Sequence, residues 1–516
     1  MNTFLNQIKR DNNIGYTENG ALTHRTTHSK VLDMFALGGA YRSRSDADVI
    51  LLFKNAFEED ANLAMKCLFY LRDVRGGQGE RRFFRVAYRW LCNAYPETAQ
   101  KNLINVSEFG RWDDLIYVAE GTKCQTAAFK VIKHQLALDI QCKTPSLLAK
   151  WMPSQNASNA NTKRLGCVLA NFLNMTSREY RKTLSVLRER INVLERLMSA
   201  GRWDEIEFDK IPSKAGLVYR NAFARRDILA KKYEAFAKSE NTKVNANALY
   251  PYEVVEKAIS QRYIDLNSTE RAMINKYWSC LPDYLNGQDC SMMCVVDTSG
   301  SMHGTPIDIA IGLGMYCAER IGGPFKNHYI SFSSRPQLIS IEGIDFVDKV
   351  ERIYRTNLCE NTDLEAVFNL LLTTAKKSRV RREDIPKHIV VISDMEIDAG
   401  TGNWYSSSGR WTKEGASTEM ERIRRKWAAE GYELPHLTYW NVDARNNNIL
   451  DSGPNVTFVS GASPTIFKSI LTGKTAWDLM IEVICSKRYA TITAYFLYKG
   501  CAKFAHPSFF IYAKIS

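Results

Sequence analysis

The stretch Met292-Met-Cys-Val-Val-Asp-Thr-Ser-Gly-Ser-Met302 runs from a short apolar segment straight into small oxygen-bearing side chains. Met292–Val296 has the character of a strand buried on both faces. Downstream, helical periodicity covers Pro306–Ile321, and strand-like runs follow at His328–Phe332 and Gln337–Ile341. A helix over Asp363–Lys376, a strand at Ile389–Ser393, a helix over Ser417–Glu430 and strands at Leu437–Asn441 and Val456–Ser460 come next. Helices over Pro464–Leu471 and Ala476–Cys485 close the pattern. This alternation predicts an α/β, Rossmann-like domain over residues 287–489, with a mostly parallel sheet covered on both faces. Such sheets bind ligands at the carboxyl ends of their strands.

Three of those carboxyl-end loops carry matching chemistry. The first offers Asp297, Ser299 and Ser301, the second Thr362 at the start of a helix, and the third Asp394 just after a strand. Two carboxylates and three hydroxyls are hard oxygen donors, which suit Mg²⁺, or else Mn²⁺ or Ca²⁺. The carboxylates neutralise a dication, and an open coordination position then attracts an external carboxylate or phosphate oxygen. The set needs no His or Cys, which argues against zinc.

The Asp-x-Ser-Gly-Ser run, the distant Thr before a helix and the Ser-Asp after a strand resemble the metal-ion-dependent adhesion site of von Willebrand factor A domains. The resemblance implies an A-type domain holding a divalent cation that recruits a protein ligand through an exposed Asp or Glu. The alternative is the same scaffold without a bound ion.

Residues 16–286 read differently, as an all-α helical-repeat, solenoid-like domain preceded by an arm at 1–15. Apolar residues recur at helical spacing over 46–70 and, more clearly, over 180–199, where Leu184, Leu187, Ile191, Leu194 and Met198 line one face. Residues 221–238 and 252–261 look similar. Gly110-Arg-Trp-Asp-Asp-Leu115 recurs as Gly201-Arg-Trp-Asp-Glu-Ile206, which reads as a repeated helix junction. In Leu71–Arg82 three glycines stand among arginines. Exposed amides there, beside Arg75, Arg81 and Arg82, can hold a phosphate. The competing reading is a helix junction with Arg72 and Asp73 in internal ion pairs.

Several local strings in this half resemble a domain-of-unknown-function family that joins an N-terminal helical domain to a C-terminal A domain. They are Thr17–Leu22, Thr26-Thr27 with Leu32-Asp33, Arg72–Arg82, Lys150–Ser154, Tyr180–Lys182 with Leu187-Arg188, and Ile211–Ser213. The layout is distantly similar to the Ro autoantigen ribonucleoproteins, which carry a TROVE module and an A domain. That resemblance implies a ring of helices binding small structured or misfolded RNA. Candidate phosphate contacts are Lys150, Lys163, Arg164, Arg178, Arg181, Lys182 and Arg188, each of which also fits a solvated helix face. Charge agrees in place: residues 1–290 hold 43 Lys and Arg against 32 acids, and residues 291–516 hold 26 against 24. A protein–protein scaffold without RNA is the competing function. The polar segment Ser154–Asn161 reads as a loop between basic helices.

The 516 residues exceed one ordinary core, and 45% hydrophobic with 24% charged residues excludes wholesale disorder. No apolar run is long enough for a membrane span, and the N-terminus lacks a secretory apolar core, so a soluble, cytoplasmic protein is expected. The twelve cysteines contain no Cys-x-x-Cys pair, and Cys67, Cys92, Cys167, Cys317 and Cys485 read as buried free thiols. No nucleophile–base pair stands out, so no enzyme is expected. Glu396 and Asp398, near Asp394, keep metal-dependent hydrolysis as an alternative. The aromatic, basic tail at 490–516 lies beyond both patterns.

Overall fold

Two three-residue strands, β1 (Ile14–Tyr16) and β2 (Leu22–His24), pair antiparallel ahead of the helices. Six more form one sheet: β3 (Met292–Asp297), β4 (His328–Phe332), β5 (Leu338–Ser340), β6 (His388–Ser393), β7 (His436–Asn441) and β8 (Val456–Ser460). The structure, a computed structural model, describes residues 13–259, 266–356, 361–398, 419–450, 453 and 455–494. The tail from residue 495 and the arm before residue 13 lie outside the described residues.

The sheet order is β5-β4-β3-β6-β7-β8, parallel throughout except for β5, which runs antiparallel to β4 at one edge. Every residue of β3 is buried, as its unbroken apolar run requires. The chain leaves β3 for β4 on one side and later returns to β6 on the other. The loops after β3 and β6 therefore flank the point where the strand order reverses, the usual ligand crevice of such sheets.

The helical half begins with Lys30–Leu37 and continues to Ser268–Ser279. Two long periodic stretches break where the apolar period alone predicts continuity. Over 46–70 the chain divides at Asp60, which ends helix Asp46–Glu59 and caps helix Ala61–Arg72 by accepting from the Leu63 N–H at 2.9 Å. A capping carboxylate satisfies an amide left open at a helix start, so this boundary is favoured locally. Over 180–199 helix Ser177–Arg190 ends before Asn192, whose φ of 50° stops the helix, and Leu194–Ser199 begins a new turn. Gly110 and Gly201 both stand at junctions, but only Gly201 is left-handed, at φ 73°.

At the Gly76–Gly79 turn the Gln78 and Gly79 amides are engaged within the chain, as is that of Glu80 just after it. Gln78, Gly79 and Glu80 donate to the carbonyls of Tyr70, Asp73 and Leu71 at 3.2, 3.0 and 2.7 Å. Arg72 is buried on Asp114, with Nη2–Oδ2 at 2.7 Å, which is the junction geometry.

Both ends of the helical array pack on the sheet domain. Lys30–Leu37 lies against β8, where the Gly39 N–H donates to Ser460 Oγ at 2.9 Å and Ser460 Oγ donates to the Phe35 carbonyl at 3.0 Å. Helix Pro251–Ile259 lies against helix Thr305–Arg320, so closely that a methyl at Gly312 would meet the Tyr252 nitrogen at 2.8 Å. Arg271 holds Asp345 through two bonds of 2.7 Å, and the Trp278 ring stacks on Phe346 at 4.2 Å. One continuous apolar core joins the two halves.

The thiols divide. Cys67, Cys92 and Cys317 are buried as expected, whereas Cys167 and Cys485 are exposed. Cys167 lies on the outward face of helix Ala160–Phe172, and Cys485 lies at the C-cap of helix Ala476–Ile484. An apolar sequence neighbourhood does not fix which face of a helix a residue takes. Among the described residues no helix is long and apolar enough to cross a membrane.

Candidate metal centre

The parallel register sets the site. Val296 pairs with Ile392, so Asp297 stands beside Ser393 at the ends of β3 and β6. Ser393 Oγ donates to Asp297 Oδ2 at 2.5 Å, and the Ser299 N–H donates to Oδ1 at 2.9 Å. These two bonds fix the Asp297 carboxyl in a fully buried position. Ser299 Oγ and Ser301 Oγ lie 3.0 Å apart on the same loop. Past β6, Met395 adopts a left-handed φ of 67°. That conformation costs a side-chain-bearing residue about 1–3 kcal/mol. It turns the chain so that the Glu396 N–H donates to Asp394 Oδ1 at 3.2 Å. Thr362 Oγ1 donates to the Glu396 carbonyl at 3.1 Å, tying the second loop to the third, which carries Asp394. A hydroxyl that donates once still has lone pairs to offer.

The electrostatics favour a cation. Burial, then the Asp394 charge, push Asp297 up to about 7. Burial also raises Asp394, against the Ser301 hydroxyl, the Glu396 N–H and Arg445. Asp394 Oδ2 is buried without a hydrogen bond. Two desolvated carboxyls repel each other's ionised forms, and a dication between them removes that penalty. The hard-oxygen donors therefore fit Mg²⁺ or a similar ion. Among the described residues no group of three or more His, Cys, Asp or Glu gathers as a metal site, so any ion here depends on the hydroxyls.

Glu396, noted from the sequence for its nearness to Asp394, is joined here by Asn446, Asn448 and Arg445, which the sequence did not single out. Glu396 is buried and accepts from the Glu18 N–H at 2.6 Å, from Asn446 Nδ2 at 3.1 Å and from Asn448 Nδ2 at 3.1 Å. Thr17 Oγ1 donates to the Ile397 carbonyl at 2.6 Å, and Asn19 Nδ2 donates to the Glu396 carbonyl at 2.8 Å. The turn at the start of the helical half is thus docked on the loop carrying Asp394. Arg445, from the loop after β7, reaches the same place, with Nε 3.9 Å from Asp394 Oδ2. The register-dependent role of Ser393 and the reach of Arg445 leave no local sequence signature. The Ser-Asp pair after the strand marks Ser393 in the sequence, but not its bond across the register to Asp297.

The basic candidates scatter by environment. Arg75 lies 3.4 Å from Glu108, Arg82 pairs with Asp46, and Arg81 stands near Arg85 and Arg111. Arg188 is directed inward, donating to the carbonyls of Ala149 and Met152 at 2.8 Å each and to Ser154 Oγ at 3.0 Å. Lys150 lies over the Trp151 ring at 5.6 Å. Lys163, Arg164, Arg178, Arg181 and Lys182 are exposed on helices Ala160–Phe172 and Ser177–Arg190, which pack together. Arg164 reaches Glu120 at 2.8 Å. Gln125 to Arg190 contains eleven Lys and Arg against three acids. Those acids are engaged: Asp139 is buried on Ser146, Glu179 closes a capping box with Thr176, and Glu189 meets Arg196 at 3.0 Å.

The chain matches a family described as Domain of unknown function (DUF2828) over residues 17–136 and 149–292, about half of its length. It matches a second, Domain of unknown function (DUF7788), over residues 291–489. An uncharacterized protein of Acanthamoeba polyphaga mimivirus is 27% identical over 506 residues, covering 90% of this chain and 85% of that protein. Among solved structures, the Deinococcus radiodurans RO (RSR) protein superposes with a TM-score of 0.43 and 11% identity, covering 87% of this chain and 100% of that one.

Proposed function

The chain belongs to the DUF2828 family, and from there we propose that it is a non-catalytic binding scaffold with two working surfaces. The first is an A-type site in which Asp297, Ser299, Ser301, Thr362 and Asp394 hold Mg²⁺ or a related dication. Its open coordination position takes an acidic side chain of a protein ligand. The observation that carries this reading is the pair of buried carboxyls at the ends of β3 and β6, one with an oxygen lacking any hydrogen bond. The environment of Glu396 supports binding over hydrolysis. Its carboxylate is engaged by Glu18, Asn446 and Asn448, and so does not supply the further ligand that a two-metal centre needs. Titration of the full chain with Mn²⁺ tests the site. Binding near one ion per chain, abolished in Asp394→Asn, is expected. Equal heats in both proteins would sink the metal reading.

The second surface is the exposed basic array of helices Gln125–Gln141, Ala160–Phe172 and Ser177–Arg190, proposed to bind RNA through phosphate contacts. Its carrying observation is the charge imbalance of that span, eleven Lys and Arg against three acids, with Lys163, Arg178, Arg181 and Lys182 all exposed. RNA affinity should fall steeply with salt, and the triple change Lys163→Glu, Arg181→Glu, Lys182→Glu should flatten that slope. A salt-independent interaction, or no crosslinked RNA on the native protein, would favour a scaffold that binds protein alone.

A further inference from the structure

Arg445 is held by three partners beside the candidate metal centre. Its Nε lies 3.9 Å from Asp394 Oδ2, Nη2 donates to the Ser301 carbonyl at 3.0 Å, and Nη1 donates to Glu18 Oε2 at 3.4 Å. Its backbone is pinned as well. Arg44 donates to the Arg445 carbonyl, and the Ala444 N–H donates to the Ala40 carbonyl at 3.0 Å. Asn446 Nδ2 bonds both Glu18 Oε1 and Glu396 Oε1, at 3.2 and 3.1 Å. The helical half thus holds a guanidinium against the one carboxylate oxygen of the site that lacks a hydrogen bond. The side chain remains 39% exposed, so it has room to swing outward, while Asp394 is wholly enclosed.

We propose that Arg445 is the internal counter-ion of this centre: a tethered cation that balances Asp394 in the metal-free protein and competes with the dication for it. The proposal rests on the metal reading above and adds a control to it. Glu18 is the guanidinium's second anchor, able to retain Arg445 when Asp394 turns to a metal. Because Glu18 belongs to the turn that docks the helical half on the Asp394 loop, metal affinity is set partly by the other half of the chain. A unit charge within a few ångströms of a dication at a partly solvated site weakens its binding by about tenfold.

The test is Mn²⁺ titration of the full chain at constant ionic strength, with circular dichroism to establish that each variant is folded. Arg445→Gln should bind about tenfold more tightly than the native protein. Arg445→Lys, which keeps the charge, should stay near the native value. Glu18→Gln should bind more weakly, since the guanidinium loses its outer anchor and the site a nearby negative charge. Asp394→Asn serves as the non-binding control. If Arg445→Gln binds no more tightly, with Asp394→Asn still abolishing binding, the counter-ion proposal falls and the metal reading stands. If Lys tightens binding as much as Gln, the effect is one of shape and the proposal also falls. If no variant binds, both fall together.

Discussion

Arg488 Nη2 donates to Asp73 Oδ1 at 2.7 Å, joining the last turn of the sheet domain to a carboxylate fully buried at a helix junction 415 residues earlier. Its Nε meets the other oxygen, and Tyr489 OH donates there at 3.0 Å. The Tyr489 ring stacks on Phe109 at 5.3 Å, so the contact is packed as well as charged. Arg488 is one-third exposed and Asp73 keeps its bonds from Tyr489 OH and the Arg75 N–H, so removing the guanidinium costs about 1–3 kcal/mol. Arg488→Met should therefore lower the urea midpoint substantially. Asp73→Asn combined with Arg488→Met should recover part of that loss, because no charge is then left uncompensated. A double variant as unstable as the sum of the singles would show that the two residues are uncoupled.

Gly39 makes the opposite edge of the joint. A methyl there would lie 2.5 Å from the Ser460 carbonyl oxygen and 2.9 Å from Ser460 Oγ. The carbonyl is β8 backbone and cannot rotate aside as a side chain can, so Gly39→Ala must part helix Lys30–Leu37 from β8. Overpacking of this kind costs about 1–3 kcal/mol. Limited proteolysis should cut the variant between its halves sooner than the native chain, while Gly201→Ala, with open space around it, serves as a comparison for left-handed strain alone.

The sheet was legible because its information is local. β3, β6, β7 and β8 are short apolar runs that end in polar loops, and the candidate metal ligands lie at the ends of β3 and β6, apart from Thr362, which stands just before a helix. What escaped was information carried by pairing across the chain. Ser393 reaches Asp297 only through the β3–β6 register. Arg445, Glu18 and Glu396 meet only because the first turn of the helical half docks on a loop nearly four hundred residues later. β1 and β2 are too short to show alternation, and their second partner is the Ile449 loop, which bonds His24 in both directions at 2.9 Å. Asp60 could have been read as a cap, but the apolar period running through it is the louder signal.

Ion binding should appear in stability as well as in titration. A ligand that binds only the folded chain stabilises it by about 2.7 kcal/mol at one hundred times its Kd. Melting temperature should accordingly rise with Mg²⁺ or Mn²⁺ in the native protein and stay flat in Asp394→Asn. Ser393→Ala should show a smaller rise than native, because the Asp297 carboxyl loses the hydroxyl that orients it. An identical rise in all three proteins would mean that the ions act elsewhere.

His388 and His436 face each other across β6 and β7, at the end of the sheet away from the candidate metal centre, with ring centroids 5.6 Å apart. Burial, then the neighbouring His388, push His436 down to about 4, and burial with Lys387 lowers His388. Both shifts lie below the ordinary histidine value of 6.5. Above that pH the rings are neutral in folded and unfolded chains alike, and their packing is fully available. As pH falls from 6.5 towards 4, the unfolded chain takes up protons that the folded chain resists, so stability is lost across that window. Urea denaturation at steps from pH 7.5 to 4.5 should show the native protein losing more stability than His436→Gln, since carboxylate titration is common to both. Parallel pH profiles for the two proteins would show that the pair does not govern this part of the acid response.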